Sequence, residues 1–380
     1  MTGPLQGLRV VEIAALGPAP FCGMVLADLG AEVVRVDRAD AVTGGHTTST
    51  KNDLMGRGKR SIGVDLKHEE GVNVVLRLVE GAEALIEGFR PGVTERLGIG
   101  PAHCLARNPA LVYGRMTGWG QDGPLSARAG HDIDYIAVSG VLAAIGSEKV
   151  PVPPLNLVGD FGGGGMFLAV GLLAAVLHAR ETGNGQVVDA AMIDGSALLT
   201  TAMHGHIAEG WWLPGREANL LDGGAPFYAV YETADGGHLA VGALEPQFFA
   251  ALLEGLGIDQ ESLPAQGDRD GWPAIKAVLA SKFGSRSRDE WAEHFATIDA
   301  CVVPVLDATE APGHPHNRAR EVFIEVDGIT QPAPGPRFAA TPVPRPSGPG
   351  YPGEDTDFVL KTLGFSETDT SMLRRVGAVA

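Results

Sequence analysis

Short apolar, β-branched runs alternate with helix-length segments through the first 120 residues, and this alternation constrains the chain more than any other feature. LRVVEI (8–13), AEVVRVDR (31–38), SIGVDLK (61–67), EALIEGF (83–89) and ALVYGRM (110–116) read as strands. PFCGMVLADLG (20–30) and HEEGVNVVLRLVEGA (68–82) read as the helices between them. Strands spaced by helices cannot pair as hairpins, so the pattern predicts a parallel sheet covered on both faces. In such sheets ligands gather at the carboxyl ends of the strands.

Beyond Gly130 the chain turns mostly helical, with helices predicted over 135–145, 161–180 and 194–210 and a strand at 186–192. YAVYETADGGHLAVGA (228–243) reads as a hairpin. Three helices and the strand CVVPVLD (301–307) complete a smaller α+β unit. The stretch 330–355 is rich in Pro and Gly and reads as an extended connector before a short amphipathic helix. The expected division is therefore 1–212 for a large α/β domain, 213–227 for a linker, 228–329 for a small domain, and 330–380 for a return segment that rejoins the large domain.

With 46 acidic and 29 basic residues, the formal charge of −17 argues against nucleic acid and anionic membrane surfaces as partners. The longest apolar run, 166–177, is too short to span a bilayer. No charged-then-apolar leader opens the chain, and Cys22, Cys104 and Cys301 are scattered without metal-ligand spacing. A cytoplasmic location is expected from these features. GWGQDG (118–123) matches a dinucleotide fingerprint, but no helical pattern follows it. GRGKRS (56–61) precedes a strand instead of opening a helix, and IDGSALL lacks a nucleophile elbow. HGH and HPH read as surface histidines, so no metal is expected.

Four features remain. Lys51, Arg57, Lys59, Arg60 and Lys67, with Arg35, Arg38, Arg90 and Arg96, fall near strand ends, where guanidinium and ammonium groups suit a phosphate-bearing ligand. In GHDIDY (130–135), His131 and Asp132 stand at a helix start, where His131 reads as a catalytic group or a hydrogen-bonded loop residue and Asp132 as a helix charge. Asp160, in LNLVGDFGGGGMF, is a natural N-cap for a helix beginning at Phe161. Four glycines after it weaken a first turn but admit close backbone approach, so the segment can offer a carboxylate base and an oxyanion site together. Glu245, just before Pro246, reads locally as a helix-dipole charge.

These stretches, with FRPGVTERLGIGP, GNGQVVDAAMIDGSALL and VGALEPQFF, make the chain resemble the α-methylacyl-CoA racemases of the family III CoA-transferase superfamily nearly end to end. The resemblance implies a large Rossmann-like domain built from both chain ends, a smaller domain, and an interlocked homodimer. It places Arg38, Val64, Asp65, Leu66, Lys67 and, within GHDIDY, Gly130, Asp132 and Tyr135 on positions that hold coenzyme A; Arg90, from the basic group, is expected to bind substrate with them. His131, Asp160 and Glu245 fall on its catalytic positions, and Asp134 stands where the family often has Asn.

Racemisation needs a proton removed from one face of a thioester α-carbon and returned to the other, hence two bases. His131 and Asp160 would form the pair, with Glu245 orienting His131. No cofactor is needed, because coenzyme A is part of the substrate. A family III CoA-transferase, using Asp160 as covalent acyl carrier, and a non-catalytic acyl-CoA binder are the alternatives.

Overall fold

The computed structural model describes residues 3–43 and 52–380. Six parallel strands form the main sheet: β1 (Arg9–Ile13), β2 (Glu32–Arg38), β3 (Arg60–Val64), β4 (Ala84–Glu87), β5 (Val112–Thr117) and β6 (Gln186–Ala191). Their order, β3-β2-β1-β4-β5-β6, is that of a doubly wound Rossmann-like sheet. The order reverses between β1 and β4, which leaves a crevice where the two connections diverge.

Buried residues fill both faces, as the apolar strand runs require. On one face Val10, Ile86 and Met116 pack against the helices Pro18–Asp28 and Phe167–Thr182. On the other, Val11, Leu85 and Tyr113 meet the helix Glu69–Glu80 and two helices from the chain's far end, Thr356–Thr362 and Glu367–Arg375. The last residues add to the framework, with Val379 bridging Val64 and Ala380 N–H donating to Gly63 O at 3.0 Å.

The chain divides into two compact units. One comprises residues up to Ser139, Leu155–Leu199 and Glu321–Ala380; the other comprises Gly140–Pro154 and Thr200–Arg320. The division falls at 199/200 and 320/321 instead of 212/213 and 329/330, and the helix predicted over 194–210 is two helices, Met192–Leu199 and Thr201–Ala208, broken at Thr200. The second unit is built on an antiparallel sheet of β7 (Tyr228–Glu232), β8 (His238–Gly242) and β9 (Val302–Pro304). Its core carries Phe227, Phe249, Trp272, Phe283 and Trp291.

One element departs from expectation. The helix predicted from Phe161 begins earlier, at Leu157, and its first stretch, Leu157–Met166, is π-helical before α-helix resumes at Phe167. The glycines explain why. A Cβ on Gly163 would lie 2.6 Å from Ser196 N, and one on Gly165 would lie 2.7 Å from Phe21 Cδ1. Two neighbouring helices thus press directly on this backbone, and the wider π turn accommodates them. Continuous from Leu157 to Thr182, the helix has 26 residues and is long and apolar enough to cross a membrane; its most apolar 18-residue stretch has a mean hydropathy of 1.7 and is 44% buried inside the chain. This is longer than the apolar run in the sequence suggested.

Candidate active site

A cleft of about 330 Å³ opens at the reversal point of the sheet. Leu16, Gly17 and Pro18 reach it after β1, residues 88–91 after β4, Met116–Trp119 at and beyond the end of β5, and Met192 after β6. His131, Tyr135 and Asp160 line the same cleft, with Arg90 and Arg128 as its cations. A broader hollow of about 640 Å³ lies on the return segment, bordered by Glu325, Asp327, Arg345 and Tyr351. None of the residues singled out in the sequence borders it, so the chemistry belongs to the smaller cleft.

His131 is the N-cap of the helix Asp132–Val138 and is exposed. Its N–H donates to Asp134 Oδ2 at 2.9 Å, so aspartate here serves as the third-residue acceptor of a helix start. Tyr135, one turn in, is buried; its hydroxyl donates to Gly130 O and its ring meets Trp119 edge-on at 4.8 Å. Burial first, then the nearby carboxylates of Asp160 and Asp134, push the phenol up to about 12. It therefore stays protonated and shapes the wall.

Asp132 is buried. Its Oδ1 accepts the Asp160 N–H at 2.7 Å, while its Oδ2 has no hydrogen-bond partner among the described residues. Asp160 itself is half-buried, and Asn156 Nδ2 donates to its Oδ2 at 3.2 Å. Gly17 makes room for it: φ is +71° there, and a Cβ would sit 3.1 Å from Asp160 Oδ2. Burial raises the proton affinity of Asp160; the Asn156 hydrogen bond opposes that rise, the charge of Asp132 adds to it, and His131 opposes it.

Two expectations fail at this point. Asp160 is not an N-cap, because it lies within the π-helical turn whose cap position is Asn156. Nor is its N–H free for an oxyanion, since Asp132 already accepts it. The glycines serve helix packing more than ligand approach.

The predicted basic cluster also divides. Arg57 is buried and bonds Asp28, Gln331 and the Pro332 carbonyl; Lys59 is buried on Glu12 at 2.7 Å; Arg35 is buried on Asp37 at 2.7 Å. These three are internal wiring, so they are removed from the phosphate-binding reading. Arg60 pairs with Asp355 and stacks over Phe358. Lys51 lies outside the described residues. Arg38, exposed beside Asp40 at 2.5 Å, and Lys67 and Arg90, also exposed, remain at the surface.

Within 64–67, Val64 is buried in the core and the Asp65 N–H donates to Ala378 O. Asp65 Oδ1 also accepts the Lys67 N–H at 2.9 Å, and Leu66 is partly buried. Gly130 is held against Tyr135 and Trp119. Glu245 is exposed at the N-cap of the helix Pro246–Leu256 in the second unit, whereas the cleft is lined by the first unit alone.

Two residues escaped the sequence reading. Asn156 stands four before Asp160, a spacing that brings helical side chains together, and could have been found that way. Glu87 could not, because its environment is made by other strands. It is buried at the end of β4, where burial pushes its carboxyl up to about 7 against the Phe89 N–H and Arg115.

The model of CoA-transferase family III matches residues 5–356. Among relatives, the α-methylacyl-CoA racemase of Mus musculus is 47% identical over 97% of this chain and 96% of its own. The Homo sapiens α-methylacyl-CoA racemase is 44% identical over the same shares. The crystal structure of a CaiB/BaiF family protein from Brucella suis superposes with a TM-score of 0.82 at 25% identity, covering 96% of this chain and 100% of that one. With the doubly wound sheet and the His–Asp cleft at its reversal point, these matches establish that the chain belongs to CoA-transferase family III.

Proposed function

We propose that the chain interconverts (2R)- and (2S)-2-methylacyl-CoA thioesters by moving the α-proton between two bases. The observation that carries this reading is the meeting of His131 and Asp160 on one cleft. The near full-length match to two racemases points the same way.

An imidazole on one side of the α-carbon and a carboxylate on the other can exchange roles, each holding the proton that the other lacks. Asp160 is suited to this because its raised proton affinity brings it closer to that of an imidazole. Asn156 and Asp132 fix the carboxylate and its backbone, so proton transfer starts from a set geometry.

The cleft is too small for all of coenzyme A and suits the thioester end. The carrier would run outward over Arg90 toward Arg38, the 64–67 segment and Lys67, where exposed cations meet its phosphates. No further cofactor is required by this chemistry.

Exposed apolar side chains support the interlocked-dimer reading. Val170, Leu177, Leu198 and Leu199 are each more than half exposed, apolar side chains that an interface would cover. A second copy is the cover we assign, in preference to a lipid bilayer or nucleic acid.

The test is to incubate the protein with an optically pure 2-methylacyl-CoA in heavy water. Deuterium entry at the α-carbon with loss of optical purity is expected. Transfer of CoA to an added free acid without exchange would identify a transferase, and neither process would leave only a binder.

A further inference from the structure

We propose that Glu87 is a positioning residue: its buried carboxylate, braced by Arg115, holds the 88–91 wall of the cleft and so aims Arg90 at the substrate's anionic carrier. The last clause rests on the acyl-CoA reading above.

Glu87 is 2% exposed at the carboxyl end of β4, and its Oε2 accepts the Phe89 N–H at 2.7 Å. That bond closes the turn where the strand becomes the cleft wall. In register, Glu87 pairs with Arg115 on β5, and Arg115 pairs with Asp189 on β6. The three charged side chains therefore share one face beneath the site. The terminal nitrogens of Arg115 are held by Glu95 and by Gln121, the latter at 2.5 Å. Its Nε is buried without a hydrogen-bond partner among the described residues and lies 3.7 Å from Glu87 Oε1. Arg115 is thus anchored by others and offers Glu87 a fixed charge at a distance.

Residues 88–91 line the cleft directly after Glu87, and Met116–Trp119 line it directly after Arg115. One pair underlies two walls. Glu87 is buried and is not among the residues that line the cleft, so it acts through the turn. An apolar residue would pack there at lower desolvation cost, and only an acceptor satisfies the Phe89 N–H. The charged and titratable groups around it are Arg115 and Tyr113 from β5, Glu95 from the helix Val93–Arg96, and Asp189 from β6. Because burial raises its proton affinity to about 7, the ionised acceptor dominates only above that pH, and the wall is held more firmly there.

The full-length protein carries the test, as Glu87→Ala and Glu87→Gln. Amide exchange of the 86–92 peptide is measured without ligand, and KM and kcat are measured for α-proton exchange. Glu87→Ala is expected to speed exchange of that peptide and raise KM, each by about tenfold, with kcat changed less than about threefold. Glu87→Gln, whose amide oxygen can still accept from Phe89, is expected to restore both. In the wild type, wall exchange corrected for its intrinsic rate slows between pH 6 and 8, whereas in Glu87→Gln it does not change.

Unchanged peptide exchange in Glu87→Ala, or a Glu87→Gln variant as impaired as the alanine, overturns the proposal. If the alanine variant does not fold, the presence or absence of the pH response in wild type against Glu87→Gln decides. If the wild type exchanges no α-proton, the acyl-CoA reading falls, while the ligand-free measurement still judges the wall.

Discussion

The two halves of the parallel sheet use the same kinds of charged residue to opposite ends. On the β1–β3 side, Glu12 meets Lys59 at 2.7 Å and Asp28 meets Arg57 at 2.5 Å, all buried. On the side of the cleft, Asp160 has an amide and an imidazole for company, and Glu87 has a backbone N–H and a guanidinium 3.7 Å away. Burial raises the proton affinity of carboxylates in both places. What differs is the partner. A cation at hydrogen-bond distance makes an acid part of the framework, whereas an acid without one is left able to exchange its proton.

The largest effect should come from removing the under-paired groups. Asp160→Asn and His131→Ala are each expected to slow α-hydrogen exchange by about 10³-fold, read by NMR in heavy water, with little change in thermal stability. Wild-type turnover in either variant would end the two-base assignment. The acidic limb of the rate profile should begin above the ordinary aspartate range, since Asp160 must be ionised to accept a proton.

The opposite behaviour is expected from the framework pairs. Arg57→Met or Lys59→Met strands a buried carboxylate and should cost about 3–5 kcal/mol in denaturant unfolding, with turnover of the folded fraction preserved. Loss of catalysis at full stability would erase the contrast between the two halves.

Glu87 sharpens the comparison through pH. Its folded-state pKa, about 7, lies above the unfolded value of 4.5, so its contribution to stability is fully present below about pH 4.5 and is lost as pH rises through 7. Relative to Glu87→Gln, the wild type should therefore lose up to about 3 kcal/mol between pH 4.5 and 8, read from melting curves. A constant difference between the two proteins would show that Glu87 does not titrate in this range.

The smallest effect concerns Arg38, exposed and paired with Asp40. Arg38→Ala should weaken coenzyme A binding a few-fold, more at low salt than at high, and leave the melting temperature unchanged. Equal loss at all salt concentrations would remove it from the carrier's path.

Periodicity alone determined the parallel sheet, the hairpin 228–243 and the C-terminal helix, because apolar spacing along a segment reports directly on the face it buries. The motif GHDIDY and the acid at Asp160 were each legible as candidates, but it was the family resemblance that joined them as a pair. The tertiary structure alone decided which charges were available. Arg57 meets Asp28 across 29 positions and Lys59 meets Glu12 across 47, separations at which no sequence pattern says who pairs with whom. It also decided what the glycines do. A run without side chains carries no periodicity, and its π turn exists because two helices, folded in from distant parts of the chain, press against it.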